Sequence, residues 1–180
     1  MFCSRALDKG RKHFLVADEM YEEALELAKK ADTERETLIA DGVDLESSLK
    51  PFHGVPISLK DHVSYKGTLL TNGVGSTSTV RCQSTTIIVE QMLANGAIPF
   101  VKSNLPPLST GFRADSPNWG KALNPWDVTR GPGGSSGGEG GLICSGCSPC
   151  GFGTDTGGSL RSPANSCGIS SFLPTPERLS

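Results

Sequence analysis

Apolar and polar positions along the chain follow two periods. From about Arg11 to Lys30, Phe14, Ala17, Met20, Ala24, Leu27 and Ala28 recur at three- and four-residue steps, with Lys and Glu between them. That period predicts an amphipathic helix with one solvated face. Thr33 followed by Glu36 has the form of a capping box, which predicts a second short helix to about Ala40, stopped by Gly42. Val55, Ile57 and Leu59 alternate with Pro56, Ser58 and Lys60, which predicts a short strand ending on a charge. Ser84 is placed to cap a helix to about Asn95, with Ile87, Ile88, Met92 and Leu93 apolar and Gly96 closing it. Ile98-Pro99-Phe100-Val101 reads as a strand, although Pro99 argues against a regular central ladder. A polar connection with Pro106, Pro107, Pro117 and Pro125 follows. Helix alternating with strand predicts an α/β fold with a partly parallel sheet.

Charge narrows the function classes. Seventeen Lys and Arg against nineteen Asp and Glu give −2, which disfavours the broad basic surface of a nucleic-acid binder. No apolar run is long enough to span a membrane, and no signal peptide is visible. Six cysteines stand at 3, 82, 144, 147, 150 and 167. Cys144, Cys147 and Cys150 have the spacing of a metal or iron–sulfur segment. The next cysteine of such a segment is missing, because Thr154 takes its place. Reduced thiols in small core positions are the simpler reading, and no metal or other cofactor is expected.

Glycine is the odd feature. Of 22 glycines, twelve lie between Gly131 and Gly158, mixed with serine. A flexible linker is disfavoured, since too few residues follow for a second domain. A Walker-type phosphate loop needs a Gly-Lys-Ser/Thr ending, and no lysine follows Lys121. The Gly-x-Gly-x-x-Gly fingerprint fails at Ser136 and at Thr156. Gly133-x-Ser135-x-Gly137 fits a nucleophile elbow, but His13, His53 and His62 all lie upstream, against the chain order of that hydrolase fold. Ser47-x-x-Lys50 lacks the Lys-Thr-Gly partner of penicillin-binding enzymes. Serine chemistry with a lysine base remains. Such a lysine must lose roughly 3 units from its free pKa of ~10.4, a bias of ~4 kcal/mol, and burial at the end of the 55–59 strand acts in that direction.

Three segments resemble the amidase signature hydrolases. They are Gly54-Val55-Pro56-Ile57-Ser58-Leu59-Lys60-Asp61, then Asn124-Pro125-Trp126 leading to Gly133-Gly134-Ser135-Ser136-Gly137-Gly138-Glu139-Gly140, then Gly153-Thr154-Asp155-Thr156-Gly157-Gly158-Ser159-Leu160-Arg161-Ser162-Pro163. Their order and spacing agree with the family from about Phe52 to Ser180. Ser64-Tyr65-Lys66-Gly67 and Glu139 are similar to the fatty-acid amide hydrolases within it.

The resemblance implies the amidase signature fold, a mixed β-sheet core surrounded by α-helices. Residues 1–50 are expected as an N-terminal helical segment and 51–180 as a partial amidase core, since family domains are considerably longer. It implies a Ser–Ser–Lys triad: Lys60 as base and then acid, Ser135 as bridge, Ser159 as nucleophile. Backbone N–H groups of Thr156, Gly157, Gly158 and Ser159 would form the oxyanion hole, and two glycines before a serine suit that turn independently. Asp155 and Arg161 are expected to brace the nucleophile loop as a buried pair, and Phe112, with residues near Thr110, to line the substrate pocket. Cys144, Cys147, Cys150 and Leu173 depart from the family pattern. Taken alone, Ser159 is more simply the cap of a helix begun by Leu160-Arg161.

The implied substrate is a fatty-acid amide or related lipid amide. Peripheral contact with the cytoplasmic face of an intracellular membrane, or a cytoplasmic location, goes with it, as does a homodimer. A catalytically silent truncated fragment and a general small-amide amidase are the alternatives.

Overall fold

The computed structural model describes residues 1–178; positions 179 and 180, the end of the expected core segment, lie outside it. A four-stranded mixed sheet organises the chain in the order β1-β3-β2-β6. β1 is Val16–Glu19, β2 Pro56–Lys60, β3 Ile98–Ser103 and β6 Gly151–Phe152. β2 runs parallel to both β3 and β6, and β1 closes the other edge antiparallel to β3. β4 (Asp115–Ser116) and β5 (Gly120–Lys121) form a separate small hairpin. The α-helices are α1 (Phe2–Arg5), α2 (Tyr21–Ala40), α3 (Leu45–Ser48), α4 (Ile87–Ala94), α5 (Gly137–Cys144) and α6 (Arg161–Cys167), with a π-helical turn over Ala6–Gly10 continuing α1.

The two faces of β2 have different jobs. Ile57 and Leu59 are fully buried and pack with Val89 and Met92 of α4. Burying each such side chain contributes about 1.5–3 kcal/mol. Ser58 and Lys60, the alternate positions, are also fully buried, and both make side-chain contacts with the segment around α5. The strand therefore carries a hydrophobic face and a polar face, and neither meets water.

The N-terminal region departs from its periodicity. The helix expected over 11–30 is broken: Phe14 has φ 56°, Val16–Glu19 is a strand, and the helix starts only at Tyr21. Pairing with β3 and burial of Leu15 and Ala17 outweigh local helical preference. From Tyr21 one helix runs through both predicted segments to Ala40. The expected capping box is absent, because the Thr33 hydroxyl donates to the Lys29 carbonyl inside the helix. Gly42 does end it: with φ 67° it donates to Ile39, and Val43 donates to Leu38, a Schellman closure.

Two other boundaries shift. α4 is capped at Thr86 rather than Ser84, since Thr86 is the extended residue before the first helical turn. Pro99 sits in an interior strand after all. The ladder absorbs it by a register shift, with Ile57 opposite Pro99 but Ser58 opposite Val101. On the other side of β3 the Phe100 carbonyl accepts from Met20 N–H, next to the β1 pairing.

Candidate active site

Lys60 ends β2 with its side chain inside the protein. Its Nζ lies 2.7 Å from Ser135 Oγ and donates to Thr154 Oγ1 at 3.0 Å. Burial lowers its pKa to about 8, opposed by the negative charges of Glu139 and Asp155. An amine in that range exchanges a proton readily near neutral pH.

Ser135 lies just before α5, after a cis Gly134–Ser135 peptide. The glycines that follow let the helix approach the sheet. A Cβ on Gly138 would stand 2.4 Å from Asn104 N, and Gly138 N–H donates to Asn104 O at 3.0 Å. The glycine cluster is thus a close-packed helix start followed by a turn, as the disfavouring of a linker anticipates. The Asn124-Pro125-Trp126 motif ties the same segment to α6: Asn124 Nδ2 donates to Ser166 O and Trp126 Nε1 to Cys167 O, at 2.8 and 2.9 Å.

Ser159 stands at the end of the loop between β6 and α6. Its carbonyl accepts from Ser136 N–H at 3.1 Å, so it is joined to the residue beside Ser135. Its hydroxyl makes no hydrogen bond among the described residues. Ser159 does not cap α6, whose N-cap is Leu160. The capping role falls to Asp155, whose carboxylate accepts from Gly158, Leu160 and Arg161 N–H at 2.6, 3.0 and 3.2 Å. Arg161 adds two side-chain bonds at 3.0 and 2.9 Å. The pair is only half buried: the Asp155 side chain is inaccessible, whereas that of Arg161 is 62% exposed. The Arg161 guanidinium and the loop N–H groups hold the Asp155 carboxyl well below the usual carboxylate range.

The expected donor set also narrows. Gly158 has φ 118°, a conformation natural only to glycine, and its N–H is committed to Asp155. The N–H groups of Thr156, Gly157 and Ser159 make no hydrogen bond among the described residues and are available to an oxyanion. Phe112 lies over this turn, its ring 3.6 Å from where a Gly158 Cβ would stand, and is 65% exposed. Thr110 is exposed as well. A groove of about 710 Å³ runs beside β6 and α6, lined by Phe152, Leu160, Ile169, Phe172 and Leu173 among others.

Residues without an expected role complete the surroundings. Ser136 is buried and accepts from Thr154 N–H at 3.4 Å, lacing the two serine segments together. Glu139 is buried on α5 and accepts from Ser58 Oγ at 2.6 Å. Burial pushes its carboxyl up to about 7, against the lowering influence of Ser103, Ser58 and Lys60. His62 contacts Thr154 and Ser109. The paired serines of Gly-Gly-Ser-Ser and the nearness of His62 to Lys60 were the available sequence signals for these. Cys82, Cys147 and Cys167 are buried free thiols, whereas Cys3, Cys144 and Cys150 are partly exposed. No helix among the described residues is long and apolar enough to cross a membrane.

Comparison with known proteins decides the family. The amidase family model matches residues 1–180. The chain belongs to the amidase signature family. It is 40% identical over 150 residues to fatty-acid amide hydrolase 1 of Sus scrofa, covering 83% of this chain and 25% of that protein. It is 37% identical over 171 residues to a glutamyl-tRNA(Gln) amidotransferase subunit from Treponema denticola, covering 93% of this chain and 34% of the relative. The peptide amidase of Stenotrophomonas maltophilia superposes with a TM-score of 0.78 at 26% identity, over 91% of this chain and 33% of that one. The chain therefore spans about a quarter to a third of the length of these relatives. Amidase signature enzymes hydrolyse amides on a mixed α/β core, in agreement with the sheet and helices described above.

Proposed function

We propose that the protein is a serine amidase acting on fatty-acid amides or related lipid amides through Lys60, Ser135 and Ser159. The observation that carries this reading is the 2.7 Å contact between the buried Lys60 Nζ and Ser135 Oγ, one residue from the Ser136 N–H that donates to Ser159 O. A serine hydroxyl needs a base, and a lysine with a pKa near 8 is neutral often enough to serve.

Ser159 Oγ attacks the amide carbonyl. Its proton passes to Ser135 Oγ as the Ser135 proton passes to Lys60 Nζ. The oxyanion is met by the uncommitted N–H groups of Thr156, Gly157 and Ser159. Lys60, now an ammonium, returns the proton through Ser135 to the departing amine, leaving an acyl-enzyme on Ser159. Water, activated by the same relay, releases the acid. No metal or cofactor takes part in this scheme.

The lipid part of the reading rests on Ser64-Tyr65-Lys66-Gly67, on Glu139, and on the 40% identity to the porcine fatty-acid amide hydrolase. Location at a cytoplasmic membrane face, and a homodimer, belong to this proposal. Similarity to a peptide amidase and to an amidotransferase component favours small polar amides as the second reading. A substrate panel separates them. Oleamide-type long-chain amides should be cleaved with kcat/KM at least tenfold above acetamide, glutamine and short peptide amides. The opposite order overturns the lipid reading, and no turnover of any amide by the full chain favours a catalytically silent polypeptide.

A further inference from the structure

His62 follows β2 by two residues and joins three separated segments through its ring. Its Nδ1 lies 2.6 Å from Ser109 Oγ, in the turn Pro107–Ser109, and its Nε2 lies 3.1 Å from Thr154 Oγ1, in the nucleophile loop. Thr154 Oγ1 is the same atom that accepts from Lys60 Nζ at 3.0 Å. The four side chains form one line: Lys60, Thr154, His62, Ser109.

Proton counting gives this line a direction. Burial, with the positive charges of Lys60 and Lys102, lowers the His62 pKa to about 4, so near neutral pH the ring is uncharged, with one N–H and one bare nitrogen. A protonated Lys60 has only donors, so Thr154 must accept from it. Thr154 keeps one proton, and among the described residues His62 Nε2, at 3.1 Å, is the acceptor within its reach. The imidazole N–H is left on Nδ1, where Ser109 Oγ receives it. When Lys60 loses its proton, the Thr154 hydroxyl stays committed to His62. One Nζ–H remains pinned on Thr154, and the amine lone pair is left for Ser135.

We infer that His62 is a positioning residue for Lys60: by accepting the Thr154 hydroxyl proton at Nε2 it keeps Thr154 an acceptor and aims the lysine lone pair at Ser135. This rests on the reading of Lys60 as the base. His62 touches no reacting atom, so its role is orientation rather than proton transfer. Charged groups facing the ring are Lys60 and Lys102, and those facing Lys60 are Glu139 and Asp155.

Two measurements on the full chain test this independently. Long-range ¹H–¹⁵N NMR at pH 7 should show His62 neutral with its proton on Nδ1. A proton on Nε2, or a cationic ring, overturns the inference whether or not the protein hydrolyses amides. The second measurement is the pH dependence of fluorophosphonate labelling, paired with the Lys60 pKa read from its ε-carbon NMR shift. His62→Phe frees the Thr154 proton to compete for the lysine lone pair, which favours the neutral amine. The Lys60 pKa should fall by roughly half a unit. The plateau labelling rate should fall about tenfold, the scale of one hydrogen bond. His62→Gln, whose amide oxygen still accepts from Thr154, should restore most of both. A merely structural defect lowers the plateau without moving the Lys60 pKa, and an unmoved pKa overturns the inference. Should His62→Phe fail to fold, Thr154→Val removes the same hydroxyl: a plateau loss without the proposed link to His62, shown by an unchanged His62 Nδ1 proton shift, overturns it equally. If the wild-type chain does not label at all, the hydrolase reading fails while the tautomer and the Lys60 pKa still decide the role of His62.

Discussion

Lys60 Nζ and Ser135 Oγ lie 2.7 Å apart although 75 positions separate them in the chain. One residue ends a buried strand and the other precedes a glycine-rich helix that only close packing can bring to it. The pH behaviour of the site follows from this contact. A base must be neutral to act, so activity should rise with pH along a limb centred near 8 and then level off. Lys60→Ala should lower the amidase rate far more at pH 7 than at pH 10, where hydroxide replaces the lost base. A pH-independent loss argues against a general-base role.

Glu139 should set where that limb falls. Its ionised carboxylate raises the Lys60 pKa, so Glu139→Gln removes that influence while keeping an acceptor for Ser58. The limb should move to lower pH by roughly 0.5–1 unit, as expected on removing the charge of a buried neighbour. Stability gives a second check. The Glu139 pKa is raised on folding to about 7, so its contribution is fully present below the unfolded value of ~4.3 and is lost as pH rises through about 7. Urea titrations at several pH values should show the wild type losing stability across that window and the Gln variant losing less.

Asp155 works with the opposite sign. Its folded pKa is depressed, so its contribution is present above the unfolded value of ~3.9 and disappears as pH falls toward the lower folded value. Asp155→Asn turns an acceptor of three backbone N–H groups into a mixed donor and acceptor. Labelling of Ser159 should fall by more than tenfold, and amide exchange at 156–161 should accelerate. Arg161→Lys should cost far less, because the guanidinium is largely in water.

Two glycines in the same cluster should respond very differently. Gly138→Ala drives a Cβ to 2.4 and 2.5 Å from the Asn104 backbone, which cannot yield as a side-chain end can. A loss of about 1–3 kcal/mol is expected in urea unfolding. A Cβ on Gly157 meets nothing within 4 Å, so Gly157→Ala should stay within about 0.5 kcal/mol of wild type.

Local features were legible in the chain wherever local chemistry governs them. The alternation of Val55, Ile57 and Leu59 marks β2, Gly42 marks the end of α2, and the glycine–serine segment marks a built turn rather than a linker. β1 was not legible, because Val16–Glu19 fits the helical period around it and becomes a strand only by pairing with β3. Pro99 misled for a related reason: a register shift lets an interior strand carry it. In the site, the motifs brought Lys60, Ser135 and Ser159 to attention. The partners of the buried groups lie too far along the chain for any spacing rule. Ser58 and Glu139 are 81 positions apart, and His62 and Thr154 are 92.

The central claim is that Ser159 is the nucleophile of this arrangement. Reacting the full chain with a fluorophosphonate and locating the adduct by mass spectrometry tests it most directly. The wild type should carry one adduct on Ser159, and Ser159→Ala should carry none while keeping the wild-type unfolding midpoint. Undiminished labelling of Ser159→Ala would contradict the account.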